Sequence, residues 1–216
     1  MKHIVFDFDG TLAASKGLAI EAYNRVALKR GFRPIEPEQV AALSALSIPE
    51  RLKALGVPLH QMPGVVLEMK RYCREAGERL QPEPGIPAAL AALRAGGRRL
   101  SIVSSNRTET IARFVQRHGL GEFAQVLTGN KLFGKHALLQ RLMKLGGEQP
   151  HELLYVGDEL RDLEACRRCG VAMLAVAWGY DAPKLLAAAG PAGLAHTPAE
   201  MAAWLLAEQR RMPGYF

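Results

Sequence analysis

With 216 residues, 49% of them hydrophobic, the chain is long enough to bury a sizeable core as one domain, or as one domain with an insertion. No run of eighteen or more apolar residues occurs, and Asp7 and Asp9 interrupt the first apolar segment, so a membrane span and a signal peptide are not expected and a cytoplasmic protein is. The formal net charge of +7 raises nucleic acid as a partner, but the pairs Arg98-Arg99, Arg167-Arg168 and Arg210-Arg211 stand apart without interleaved aromatics and read as a solvated surface, whose positive field would also attract an anionic substrate.

The first apolar run, Ile4-Val5-Phe6, leads into Asp7-Phe8-Asp9-Gly10-Thr11-Leu12. At the carboxyl end of a strand the chain can turn so that one carboxylate and the next carbonyl share a cation, and Gly10, without a Cβ, permits that turn. Mg²⁺ takes hard oxygen ligands and keeps several waters, so one or two carboxylates and a substrate phosphate make a shell for it. On these residues alone, a metal-assisted nucleophile and a solvated acidic turn are both open readings.

Residues 15 to 82 are predicted as helical, with an amphipathic segment over 17–30 that carries Leu18, Tyr23, Val26 and Ala27, and further helices over 49–55 and 65–80. An insertion placed after the first strand sits above the carboxyl ends of the sheet as a lid that excludes water and selects substrate. Pro82 and Pro84-Gly85 mark its return, giving a core of residues 1–14 and 83–216 and a cap of 15–82. In the cap, Lys16, Arg51, Arg71 and Arg74 are candidates to meet an anionic group, although each also reads as an ordinary solvated charge.

After residue 84 strands and helices alternate. Leu100 to Ser104 reads as a strand ending in Ser105-Asn106, then a helix with Ile111, Phe114 and Val115 on one face and Gly119 as its stop. Phe123 to Leu127 reads as a strand, Lys135 opens a helix carrying Leu138, Leu139, Leu142 and Met143, and Leu153 to Val156 is a strand ending in Gly157-Asp158. A helix from Leu160 to Gly170 follows, then a strand over 171–177 ending in Trp178-Gly179, with Tyr180 and Asp181 at the rim. Cys166 and Cys169 lie within that helix and read as packing residues, since no second cysteine pair or histidine cluster completes a zinc site. Apolar strands without polar alternation are buried on both faces, and the helices between them imply parallel neighbours, so the predicted fold class is α/β, a doubly wound parallel sheet with a small inserted α-helical cap. Such sheets bind ligands outside the carboxyl ends of their strands, where Asp7, Asp9, Ser105 and Asp158 fall, with Lys135 at a helix start.

Four motifs occur in order, DFDGTL at 7–12, IVSSN at 102–106, FGK at 133–135 and GDELRD at 157–162. On these the chain resembles the haloacid dehalogenase-like hydrolases, in the subclass with a small helical cap, similar to its phosphoglycolate phosphatase and β-phosphoglucomutase branches. The resemblance implies a Mg²⁺-dependent phosphatase acting on a small phosphorylated metabolite. Asp7 would be the nucleophile that forms an aspartyl-phosphate, and Asp9 the acid and base. Asp7, the carbonyl of Asp9 and Asp158 would hold the metal. Ser105 and the N–H of Asn106 would grip phosphoryl oxygens beside Gly10 and Thr11, and Lys135, with Lys131 as fallback, would neutralise charge. Asp162 would support Lys135 or a metal-bound water, unless it is only an acid favoured at a helix N-terminus.

The resemblance also implies that Asp9 separates phosphate-ester chemistry from the dehalogenase branch, which lacks that carboxylate, and from the phosphonatase branch, which has a small residue there. Ala13-Ala14-Ser15 departs from relatives that carry an Asp before the Ser. Two other readings stay open: a phosphomutase of the β-phosphoglucomutase type, and a non-catalytic nucleic-acid-binding module.

Overall fold

In β1 (His3–Phe6) every residue is buried, with Ile4 and Phe6 entering one apolar cluster and Val5 another on the opposite face. That two-sided burial is the signature of a central parallel strand, and β1 occupies the middle of the sheet. The computed structural model describes residues 3–129 and 134–207. Four helices follow β1: α1 (Lys16–Arg30), α2 (Val40–Ser44), α3 (Ile48–Ala54) and α4 (Met62–Glu75). The chain continues through α5 (Ile86–Ala95), β2 (Arg99–Ser104), α6 (Thr108–Arg117), β3 (Gln125–Thr128), α7 (Lys135–Gly146) and β4 (Leu153–Gly157). It ends in α8 (Leu160–Cys169), β5 (Ala172–Val176), α9 (Pro183–Ala188), β6 (Gly193–Ala195) and α10 (Pro198–Ala207).

The six strands run parallel in the order β3-β2-β1-β4-β5-β6. Helices α5, α6 and α10 cover the face that receives Ile4, Phe6 and Ile102, while α7, α8 and α9 cover the face that receives Val5, Val103 and Tyr155. Strand order reverses around β1, so the crevice at its carboxyl end is where this topology opens to a ligand. The edge strand β3 is only half-buried, and β6 has three residues, too few to give a readable hydrophobic period.

The four helices after β1, the segment expected as a cap, share an apolar cluster of Tyr23, Val26, Ala27, Leu55, Val57 and Val65. Leu18, expected on the same face as Tyr23, packs instead against the main core. The helix expected over 65–80 stops at Glu75, and Gly77–Arg79 forms a separate 3₁₀ turn because glycine destabilises a continuing helix. The two linkers pair with each other: Ala14 N–H donates to the carbonyl of Gln81 at 2.9 Å and Glu83 N–H to that of Leu12 at 2.9 Å.

Arg98, expected on the solvated surface, is 5% exposed and donates to the carbonyls of Leu205 and Leu206 at the end of α10. Its apolar stem and fork of donors let a guanidinium close a helix C-terminus from inside. Arg210 and Arg211 lie outside the described residues. Among the described residues, no helix is long and apolar enough to cross a membrane.

At the opposite end of β1 from the acidic motif, buried His3 sits between Glu148, 2.8 Å from Nδ1, and the hydroxyl of Ser101, 2.8 Å from Nε2. A carboxylate only accepts, so Nδ1 carries a proton, and in the neutral ring Nε2 accepts from Ser101. Burial lowers the His3 pKa below 6.5, outweighing the attraction of Glu148. A lowered histidine pKa means that the unfolded chain takes up the proton first, so stability falls as pH drops below about 6.5. The urea midpoint of the wild type should decline from pH 7.5 to 5.5, and His3→Gln should decline less. Parallel declines would remove His3 as the cause.

Candidate active site

The β1 ladder extends one residue beyond the strand, where Asp7 N–H donates to the carbonyl of Val156 at 2.8 Å. Asp7 is 2% exposed; its Oδ1 accepts the N–H of Phe8 at 2.7 Å and its Oδ2 the ammonium of Lys135 at 2.5 Å. Lys135 reaches it from the first turn of α7, and the same Nζ lies 2.5 Å from Oδ1 of Asp162 in the first turn of α8. The other oxygen of Asp162 accepts the N–H of Glu159 in a capping box. Asp162 therefore caps its helix and holds the lysine at once.

Asp158 follows β4 and is fully buried. Oδ1 accepts the hydroxyl of Thr11 at 2.7 Å and Oδ2 the N–H of Tyr180 at 2.8 Å. Two glycines make room for it. A Cβ on Gly10, whose φ is +78°, would lie 2.3 Å from Asp158 Oδ2 and 2.6 Å from the Tyr180 ring, and one on Gly179 would lie 2.1 Å from the same carboxylate. A side chain at either position would displace the acid.

Asp9 is half-buried, and its two oxygens lie 3.1 and 3.3 Å from Nδ2 of Asn106. The amide orientation follows from its neighbours, since Oδ1 of Asn106 accepts the N–H of Arg107 at 2.8 Å. Asn106, expected to offer only its backbone N–H to phosphate, thus also fixes the second carboxylate. The side chain's polarity after two serines was the available signal.

The hydroxyl expected at the site is that of Ser105, and β2 ends at Ser104, just before it, as the sequence suggests. Ser104 pairs with Thr128, is fully buried, and its Oγ accepts the N–H of Asn106 at 3.0 Å. Ser105 is half-buried and presents its carbonyl to Lys70 of the cap at 3.3 Å. Thr11, expected near phosphate, has its hydroxyl committed to Asp158 instead. Phe133 and Lys131 lie outside the described residues. Of the cap cations, Lys16 donates to the carbonyl of Gly179 at 2.8 Å and Arg51 pairs with Asp181, so both face the core, while Arg71 forms an exposed pair with Glu75 and Arg74 is exposed.

Five carboxyl groups, Asp7, Asp9, Asp158, Glu159 and Asp162, surround two cationic groups, Lys135 and Arg161. Burial raises Asp7 to about 7 despite Lys135, and burial also raises Asp9, Asp158 and Glu159. Burial pulls Lys135 down, but Asp162 and Asp7 outweigh it and hold the ammonium above the usual lysine value. This excess of buried negative charge suits an added cation. Oxygens of Asp7, Asp158 and Asp162 all lie within 4.8 Å of one another, a hard donor set of the kind Mg²⁺ prefers.

A parallel sheet opening at its switch point onto a carboxylate pair, a buried lysine and further acids defines an α/β protein with a charged, metal-competent site. The haloacid dehalogenase-like hydrolase profile matches residues 4–176, and the chain belongs to that family. It is 35% identical over 202 residues to the phosphoglycolate phosphatase of Synechococcus elongatus, covering 93% of this chain and 95% of that protein. It is 30% identical to the N-acetylmuramic acid 6-phosphate phosphatase of Pseudomonas aeruginosa, covering 85% of each. A solved haloacid dehalogenase-like family hydrolase from Streptococcus pneumoniae shares the fold with a TM-score of 0.79 at 20% identity, over 95% of this chain and 98% of that one. Members of this family with phosphatase activity generally use a divalent metal, and the buried aspartate cluster accords with that.

Proposed function

We propose that the chain is a Mg²⁺-dependent cytoplasmic phosphatase that hydrolyses a small phosphomonoester through a phosphorylated Asp7. The observation that carries this is the contact of Asp7 with Lys135 at 2.5 Å beside Asp158, with Asp9 two residues on and hydrogen-bonded to a different partner. The two carboxylates are thereby given different chemistry.

Each oxygen of Asp7 accepts one hydrogen bond and keeps a lone pair, so one can attack phosphorus. As the ester P–O bond breaks, Asp9 gives its proton to the leaving alcohol oxygen. Burial favours that protonated form, and the Asn106 amide aims it. Asp9 then takes a proton from the water that attacks phosphorus and frees Asp7. Lys135 offsets charge on the nucleophile and the transferring group, held in place by Asp162. Ser105 would offer its hydroxyl to phosphoryl oxygens, and the N–H of Asn106 would join it by leaving the Ser104 hydroxyl that it binds here.

Asp7, Asp158 and the carbonyl of Asp9 would hold Mg²⁺, which supplies the positive charge that lets an anionic carboxylate meet an anionic phosphate. Asp162, the third carboxylate of the cluster, holds Lys135 and caps its own helix. The test is release of inorganic phosphate from an aryl phosphate: turnover with Mg²⁺, and loss with chelator that added Mg²⁺ restores. Metal-independent turnover, or isomer formation from a sugar phosphate without free phosphate, would defeat the proposal.

A further inference from the structure

The inner faces of α1, α2, α3 and α4 do not close on one another. They enclose a cavity of ≈ 230 Å³, into which Ile20, Val40, Ile48, Met62, Val66 and Met69 project, each only half-buried. Lys16 and Tyr180 also line it, and these touch the acidic site: Tyr180 donates its N–H to Asp158, and Lys16 donates to the carbonyl of the preceding Gly179. A second hollow of ≈ 360 Å³ around Pro49, Lys53 and Leu59 shares no residue with the site.

The polar groups of the first cavity's wall are mostly spent. Tyr23 donates to the carbonyl of Arg33, Tyr180 bonds Ser15 through its hydroxyl, and Arg51 holds Asp181 and the carbonyls of Leu43 and Ser44. Lys16 has three donors and one hydrogen-bond acceptor among the described residues, the carbonyl at 2.8 Å, so two donors remain. Burial and the nearby Arg51 lower its pKa against the opposing pull of Asp158 and Asp181.

We infer that this cavity receives the leaving group of the substrate, and that the substrate is a phosphomonoester of an apolar-bodied alcohol with an acceptor atom near Lys16. This rests on the phosphatase reading above. Water in such a space needs two to four polar partners, and a sugar would bury more hydroxyls than the two Lys16 donors can serve, whereas an alkyl or ring body gains from leaving water. A two-carbon acid would reach Lys16 but leave the apolar walls unfilled.

The experiment uses the full chain with Mg²⁺ and compares kcat/KM for n-alkyl phosphates from ethyl to octyl with those for phosphoglycolate and glucose 6-phosphate. Each added methylene should raise kcat/KM about three- to fourfold until the cavity is full, mostly through KM. Val66→Trp, which fills the cavity, should flatten that series. A flat wild-type series, a preference for phosphoglycolate or the sugar, or an undiminished slope in Val66→Trp overturns this inference while aryl phosphate turnover leaves the phosphatase reading standing. No turnover of any phosphomonoester overturns both.

Discussion

Asp7→Asn loses turnover by about 10⁴-fold or more, the scale for removing a nucleophile whose partners cannot replace it. The fold should survive, because the amide keeps the shape of the carboxylate and can still accept the N–H of Phe8. A second readout separates lost chemistry from lost structure. In chelator, burial holds Asp7 near 7 in the folded state against about 3.8 unfolded. A raised carboxyl pKa means that the folded state binds the extra proton, so its stabilisation is present below about 3.8 and is lost as pH rises through 7. Above pH 7 the metal-free Asn variant should therefore unfold at a higher urea concentration than the metal-free wild type, and at pH 4 the gap should close. Added Mg²⁺ should stabilise the wild type and have little effect on the variant. Residual activity within tenfold of wild type would refute Asp7 as nucleophile.

That site was legible in outline because of where the sheet puts its chemistry. Strands buried on both faces give unbroken apolar runs, so the polar residue that ends each run, Asp7 or Asp158, stands out. The lysine and its second acid, Lys135 and Asp162, open their helices, positions that a sequence marks well. Less legible were features set by one residue of register or by distant packing. Ser104 and Ser105 are adjacent and chemically identical, and although the end of the strand at Ser104 is readable, the capture of the Asn106 N–H by the Ser104 hydroxyl is not. Arg98 looks like any exposed basic residue until α10, more than a hundred residues later, supplies its carbonyls. Thr11 and Tyr180 were visible as neighbours of the motifs, but their roles as donors to one carboxylate depend on two loops meeting. The cap cavity is invisible in the same way: whether the faces of four helices close on one another is a property of their assembly.

Lys135→Met should be the variant that damages both activity and stability. Its side chain is nearly of the same length and the cavity stays filled, so the loss isolates charge. Removing the ammonium leaves Asp7 and Asp162 facing each other while buried, at 2% and 0% exposure. Breaking a buried pair from one side costs about 3–5 kcal/mol, because the remaining charge is uncompensated. The deficit has a pH sign. Without the lysine, which holds the Asp7 pKa down, Asp7 retains its proton more readily in the folded state, so the variant should be least stable at pH 8 and recover toward pH 5. Turnover should fall about 10³-fold at saturating Mg²⁺, since charge stabilisation of the transferring group is the term lost. The double variant Lys135→Met/Asp162→Asn should regain part of the stability by removing one stranded acid, yet none of the activity, and a double-mutant cycle on urea midpoints measures the coupling. If instead Lys135→Met unfolds at the wild-type midpoint at pH 8, the lysine is not what makes three buried acids tolerable, and a cation bound by Asp7 and Asp158 must carry that load alone.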